Sequence, residues 1–440
     1  MNVLEQQLLE IKHKKRFDAF MHLCDGFEAA GFQSTSVLLW LYAKKGLFMF
    51  DPGMGKTLSI AMGLKALFSV NPNSRCLFFI KKTQITQTSN DIRLYTGLRV
   101  ITCTAEREQI IWKLYKDIKS YDVLMITHEA LQSDYVCAFL QANLKYFNVC
   151  VIDEAHYLTN IQDSDRIFVL QAITSRIERV ASLTATPFIS KAEQYASLLN
   201  IMDPKLFERK DILVKKLKKG LQLDIEYPLQ IYNYDRKSEG IENTYNIHVR
   251  WVDPHDFQRS AQTTQLLRQL RGPGSLNQLN DLITVIKLNQ KRKKRGIIFI
   301  YYHDTRDWVL PFLKEADIRF GCIHGTTTQK ERDEVQENFQ NGSLDVVVIS
   351  VTTSINLDCD YIYFYQYTLE IKQILGRGER GLVPKVMDLY FLFTRYTLDA
   401  EYFLNTVYKQ SHLVRSWIGK EYTEFLQVGG EIIENMGFNR

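Results

Sequence analysis

The seven cysteines (24, 76, 103, 137, 150, 322 and 359) include no CxxC pair, and none stands at metal-ligand spacing from a histidine. That leaves no basis for a structural zinc site. Several lie in apolar, strand-like runs where cysteine behaves as a small hydrophobe, a pattern that suits a reducing interior. No apolar run is long enough to span a bilayer: the longest, SVLLWLYAKKGLFMF, is broken by Lys44 and Lys45. The start, MNVLEQQLLEIKHKKR, reads as a charged amphipathic helix rather than a signal peptide. A soluble, cytoplasmic protein without membrane association is expected. The net charge is only +5, so bulk charge does not announce a nucleic-acid binder. The basic residues are clustered, however, in KHKKR (12–16), KKLKK (215–219) and KRKKR (291–295). Each run is a solvated face or part of a phosphate-contacting track. Internal repeats and low-complexity tracts are also absent.

What is present is a succession of short apolar runs alternating with helical stretches. With 440 residues the chain exceeds the size at which one hydrophobic core stops growing, so two or three domains are expected. GLFMF (46–50), CLFFI (76–80), VLMI (123–126), VCVI (149–152) and VASL (180–183) read as strands buried on both faces of a parallel sheet. The pattern lapses over 205–290, a charged stretch with a Gly-Pro-Gly break at 272–274, and is read as a linking, helical bridge. It resumes with GIIFIYY (296–302), RFGCIH (319–324), DVVVIS (345–350), YIYFY (361–365) and VMDLYFL (386–392). The expected organisation is α/β: a helical extension over 1–28, a first unit over 29–204, the bridge, a second unit over 291–397, and a helical extension over 398–440.

DPGMGKT (51–57) follows a strand and precedes TLSIAMGLKALF, in which Leu58, Ala61, Leu64 and Phe68 share one helical face. A strand–loop–helix of this kind suits a phosphate loop: glycines let the backbone wrap the phosphates, and the helix N-terminus supplies oriented N–H donors. Gly53, Met54 and Gly55 would form the loop, Lys56 would reach the β/γ-phosphates, and Thr57 would ligate Mg²⁺. The spacing is GMGKT rather than the full GxxxxGK[ST], and a plain glycine turn is the competing reading. VCVIDEAH (149–156) then places Asp153 and Glu154 at the end of a buried strand. An ATPase needs an Asp there for the metal and an adjacent Glu to orient and deprotonate the attacking water. In SLTATP (182–187), Thr184 and Thr186 are positioned to hydrogen-bond toward those carboxylates, with His156 as the third coupling residue. QILGRGER (373–380) carries Arg377 and Arg380 on one helical face, guanidinium groups suited to stabilising charge on a transferred phosphoryl.

With these four motifs in this order, residues 28–395 resemble the superfamily-two helicases and translocases, and within them the Swi/Snf-like branch. GFQSTSVLLWLYAKKGLFMFDPGMGKT is similar to that branch's aromatic-Gln, apolar helix and loop, which makes Gln33 the adenine reader by resemblance. DEAHYLTN ends on the family's Asn160, and IHGTTTQKERDEVQENFQNG carries its Gly325, Arg332, Phe339 and Gly342 skeleton. The resemblance implies two tandem RecA-like domains with ATP and Mg²⁺ bound in the cleft between them and Gln373 beside the nucleotide. It also implies a nucleic-acid track across both domains, contacted by Lys81, Lys82, Thr127, His128, Tyr302, His303, Thr352 and Thr353. Three features depart from the family: ISVTTSINLD (349–358) has Thr352, Thr353 and Ser354 where relatives have glycine, a tryptophan after the second strand is missing, and there is no room for long insertions. In its compactness the chain resembles the versions carried by phages and other mobile elements.

The resemblance implies a monomeric, DNA-dependent ATPase that translocates along double-stranded DNA, with the terminal helices free for a protein partner. Two alternatives stay open. A strand-separating DNA or RNA helicase would need a wedge hairpin, and no Asn-Gly or Asp-Gly hairpin signal lies between strands of the second unit. A non-catalytic ATP-binding scaffold would have no use for Glu154.

Overall fold

A computed structural model describes residues 18–436 except 19, 21, 23, 25, 106–119, 160–163, 186–191, 206, 208, 220–228, 235–238, 242, 254–275, 351–356, 368–370, 379–383, 396–398, 410 and 413–422. The chain divides into two units at Asp235/Arg236.

The apolar runs of the first unit form β1 (Lys45–Phe50), β2 (Cys76–Ile80), β3 (Val100–Cys103), β4 (Val123–Thr127), β5 (Val149–Ile152), β6 (Arg179–Leu183) and β7 (Leu229–Tyr234). They make one parallel sheet in the order β3-β4-β2-β5-β6-β1-β7. Successive residues of β2, β4 and β5 are all buried, so both faces are covered, as a parallel sheet requires. Helix Gly31–Ala43 contributes Trp40, fully buried, whose indole N–H donates to the Val180 carbonyl at 3.0 Å. Burying such a ring stabilises by roughly 2–3 kcal/mol. Because all seven strands run the same way, their C-terminal ends share one edge of the sheet. Loop 51–55, Lys81, His128, Asp153 and Thr184 therefore all follow strands at that edge.

The second unit contains β8 (Thr244–Val252), β9 (Gly296–Phe299), β10 (Phe320–Ile323), β11 (Val346–Ile349), β12 (Tyr361–Phe364) and β13 (Val386–Thr394). Their order is β10-β11-β9-β12-β13-β8, again parallel throughout. Leu282 and Ile286 of helix Leu276–Lys291 join Val309, Val348 and Tyr363 in its core. Gly296 faces Tyr361 on the neighbouring strand, and a Cβ at 296 would run into that ring. Phe403 of helix Asp399–Phe403 packs on Tyr367 and Phe393, with centroids 5.2 and 5.5 Å apart.

Each unit is thus the α/β parallel-sheet unit that the sequence led one to expect. The stretch 205–290 differs from its reading as a helical bridge: it holds helix Lys210–Lys218, but it also gives one strand to each sheet, β7 and β8. Charge hid β8. None of its residues is fully buried, yet Asn246 and His248 reach the buried Asp388 carboxylate at 2.9 and 3.4 Å, and Arg250 reaches Asp281 at 2.6 Å. Among the described residues, no helix is long and apolar enough to cross a membrane.

Candidate nucleotide site

Loop 51–55 turns sharply because Gly53 and Gly55 have φ of 78° and 77°, a left-handed conformation that glycine adopts without steric cost. Gly55 caps helix Lys56–Val70, whose first-turn N–H groups have no intrahelical acceptors and form a ready anion site. The helix behind the loop braces it. Gln33, almost fully buried, accepts from the Ala30 N–H at 2.9 Å and donates through Nε2 to the Met54 carbonyl at 2.8 Å. A Cβ on residue 55 would collide with that same Nε2. Both ends of the Gln33 amide are therefore engaged by the protein, a bracing role that its sequence reading as an adenine reader did not include. Met54 is buried, Thr57 is half-buried, and the Lys56 ammonium donates to the Phe50 carbonyl at 3.0 Å.

β5 delivers the carboxylates. The Asp153 N–H donates to the Phe79 carbonyl at 2.8 Å, and Asp153 Oδ1 accepts from the Glu154 N–H at 2.9 Å. Burial pushes the Asp153 carboxyl well above its ordinary range; the Glu154 charge adds to this and the Lys56 ammonium opposes it. Glu154 itself has φ 46°, which costs of order 1–3 kcal/mol for a residue with a side chain and is tolerated only where the surroundings over-determine it. His156 supplies one of those ties. Fully buried, its Nδ1 lies 2.9 Å from Thr184 Oγ1 and 3.5 Å from Glu154 Oε2. The coupling trio is thereby joined for His156 and Thr184, while Thr186 falls outside the described residues.

The ends of β2 and β4 complete this edge. The Lys81 ammonium sits 3.9 Å from the centre of the Tyr157 ring, a cation–π contact that pins the end of β2 to the turn Ala155–Thr159. Lys82 is exposed. Thr127 and His128, expected as track contacts, are instead 0% and 3% exposed, and the Thr127 hydroxyl and His128 Nε2 have no hydrogen-bond partner among the described residues. Burial pushes the His128 imidazole down to about 3; His156, Arg166 and Lys81 act in the same direction and Glu154 opposes them. His128 is neutral and belongs to the interior beside Glu154 and His156. Nothing in the tetrapeptide THEA distinguishes a buried histidine from one facing a track. Tyr157 and Arg166 likewise carried no sequence signal.

In the second unit Tyr302 is half-buried, with its N–H donating to Gln366 Oε1 at 2.9 Å, and His303 is exposed, its Nδ1 2.9 Å from Arg306 Nη1. His303 and His324 stand edge to face at 6.4 Å. Arg332 is buried, donating to the Thr327 and His324 carbonyls at 2.9 and 3.3 Å, which explains its place in the Gly–Arg–Phe–Gly skeleton as a loop brace. Gln373 and Arg377 lie on helix Ile371–Gly378, their side chains outside the description, and Asn160, Thr352, Thr353 and Arg380 lie outside the described residues altogether.

The SNF2-related domain family matches residues 32–293, and the helicase conserved C-terminal domain matches residues 275–381. ATP-dependent helicase fft3 of Schizosaccharomyces pombe is 28% identical over 183 residues, 38% of this chain and 19% of that protein. UvrABC system protein B of Kosmotoga olearia is 25% identical over 171 residues, 34% of this chain and 26% of that protein. The pre-mRNA-splicing ATP-dependent RNA helicase PRP28 of Kluyveromyces lactis is 32% identical over 62 residues, covering 14% and 12%. The matches thus span between 12% and 26% of the length of these relatives. Among solved structures, the Sulfolobus solfataricus SWI2/SNF2 ATPase core in complex with dsDNA is similar at a TM-score of 0.43 and 16% identity, over 92% of this chain and 96% of that one.

Proposed function

The chain belongs to the SNF2-related family, and on that premise we propose that it is an ATP-hydrolysing motor that translocates along double-stranded DNA. The helicase conserved C-terminal domain and the helicase-named relatives support the coarser reading, ATP-driven work on nucleic acid. The observation that carries the proposal is the convergence at one sheet edge of the Gly53–Gly55 loop, Lys56, Thr57, the buried Asp153–Glu154 pair and the His156–Thr184 link.

The donor set fits Mg²⁺. Thr57 and Asp153 offer hard oxygens, and among the described residues no cluster of three or more His, Cys, Asp or Glu could cage a metal by itself. A magnesium site of this kind takes one or two protein oxygens and completes its shell with water and phosphate. Thr57 and Asp153 would hold the ion, which when bound neutralises phosphate charge. Lys56 and the helix N-terminus bind the phosphates. Glu154 orients and deprotonates the attacking water, and His156, hydrogen-bonded to Thr184, stands 3.5 Å from the Glu154 carboxylate. Arg377 and Arg380 take the charge-stabilising role that their motif assigns.

On the track side, exposed Lys82 and His303, with Lys81 and Tyr302, remain proposed contacts; phosphate contacts of this type are indifferent to sequence, as a translocase requires. Displacement of a triplex-forming strand from duplex DNA tests the proposal. ATP-dependent displacement by the wild type supports it. Unwinding of a tailed duplex without any triplex displacement would replace the translocase with a strand-separating helicase.

A further inference from the structure

Tyr234 closes β7, and one residue later the chain passes into the second unit. Its main chain and its ring make separate connections to the phosphate loop. The Tyr234 carbonyl accepts from the N–H of Asp51, the first loop residue, at 3.3 Å, and the β1–β7 register sets Tyr234 beside Phe50. The ring, 3% exposed, stands edge-on to Phe50 at 5.6 Å and 81° and tilted on Phe32 at 5.3 Å. Phe32 and Phe50 also meet edge to face at 5.4 Å. Phe50 leads into the loop from the front; Phe32 precedes Gln33, whose amide holds the loop's Met54 carbonyl from behind.

One residue thus grips both supports of the loop. Three mutually packed rings, two of the pairs edge to face and one tilted, leave the end of β1 little freedom, since close-packed interiors transmit displacement rather than absorb it. Small errors in the placement of phosphate-binding groups weaken binding steeply. We propose that Tyr234 is a positioning residue for the phosphate loop, and that the conformation of the loop is coupled to that of β7. The inference rests on the reading of residues 51–57 as a nucleotide site.

The test uses the full chain. Tyr234→Phe keeps the ring and is expected to stay within about threefold of wild type, whereas Tyr234→Ala is expected to raise KM for ATP about tenfold with a much smaller change in kcat. A folded Tyr234→Ala protein with unchanged KM would overturn the proposal. Should truncation unfold the protein, the wild type decides. Amide hydrogen exchange is followed at 51–55 and 229–234 with and without a non-hydrolysable ATP analogue. Protection rising in both stretches supports the inference, and protection rising at 51–55 alone overturns it. An analogue that binds nowhere overturns the nucleotide reading itself and the inference with it.

Discussion

Glu154 and His128 are two buried or half-buried groups whose chemistry is set by their neighbours rather than by their own side chains. Glu154 keeps an uncommon left-handed backbone, tied by Asp153 on one side and facing His156 on the other. Its conservative replacement, Glu154→Gln, retains the shape and loses the proposed base. Turnover should fall by about 10²–10⁴-fold while binding of a fluorescent ATP analogue persists; loss of both together would mean that Glu154 is structural. His128 makes a separate prediction through pH. Its folded-state pKa lies below the ordinary imidazole value of 6.5, so above that value folded and unfolded chains are alike neutral there. Below it the unfolded chain takes up a proton that the native site refuses until about pH 3, so stability is lost as pH falls through that window. Unfolding free energies from urea titrations between about pH 6 and pH 4 should drop faster for wild type than for His128→Gln, by up to about 1.4 kcal/mol per pH unit. Parallel curves would place His128 in contact with solvent.

At the scale of elements, the phosphate loop and the β9–β12 pair depend on glycine for different reasons. Gly55→Ala meets a left-handed φ and the Gln33 amide together, and should cost about 1–3 kcal/mol in thermal or denaturant unfolding and abolish ATP binding. Gly296→Ala drives a methyl into the buried Tyr361 ring and should destabilise by about 1–3 kcal/mol, through crowding alone. A melting temperature unchanged in either variant would contradict the packing described. Elements of this kind are where the sequence was most legible. GLFMF, CLFFI, VCVI and DVVVIS are continuous apolar runs, and each became a strand within a residue or two of its expected bounds. β8 was illegible because this edge strand is only partly buried and spends its polar residues on the carboxylates Asp388 and Asp281. In the candidate site, DPGMGKT and DEAH stood out because the chemistry proposed for them forces a spacing, and both follow strands at one edge of the sheet. Tyr234 did not, since packing against Phe32 and Phe50 is a matter of three distant segments meeting, and Thr127 and His128 were misplaced for the same reason.

For the whole molecule, the family match points to an ATP-driven motor; its ATP chemistry is proposed to be worked by Lys56, Asp153 and Glu154, and its track is proposed to be duplex DNA. Contacts to phosphate release counterions, so any stimulation by DNA should weaken steeply with added salt; a salt-independent response would argue against a phosphate-gripping track. The most direct measurement is steady-state ATP hydrolysis at one fixed salt concentration, without nucleic acid and then with double-stranded DNA, single-stranded DNA or RNA, for wild type and Lys56→Ala. The account predicts strong stimulation by the duplex alone and no turnover in Lys56→Ala with its fold intact. Turnover that survives Lys56→Ala, or a wild type indifferent to every nucleic acid, would contradict it.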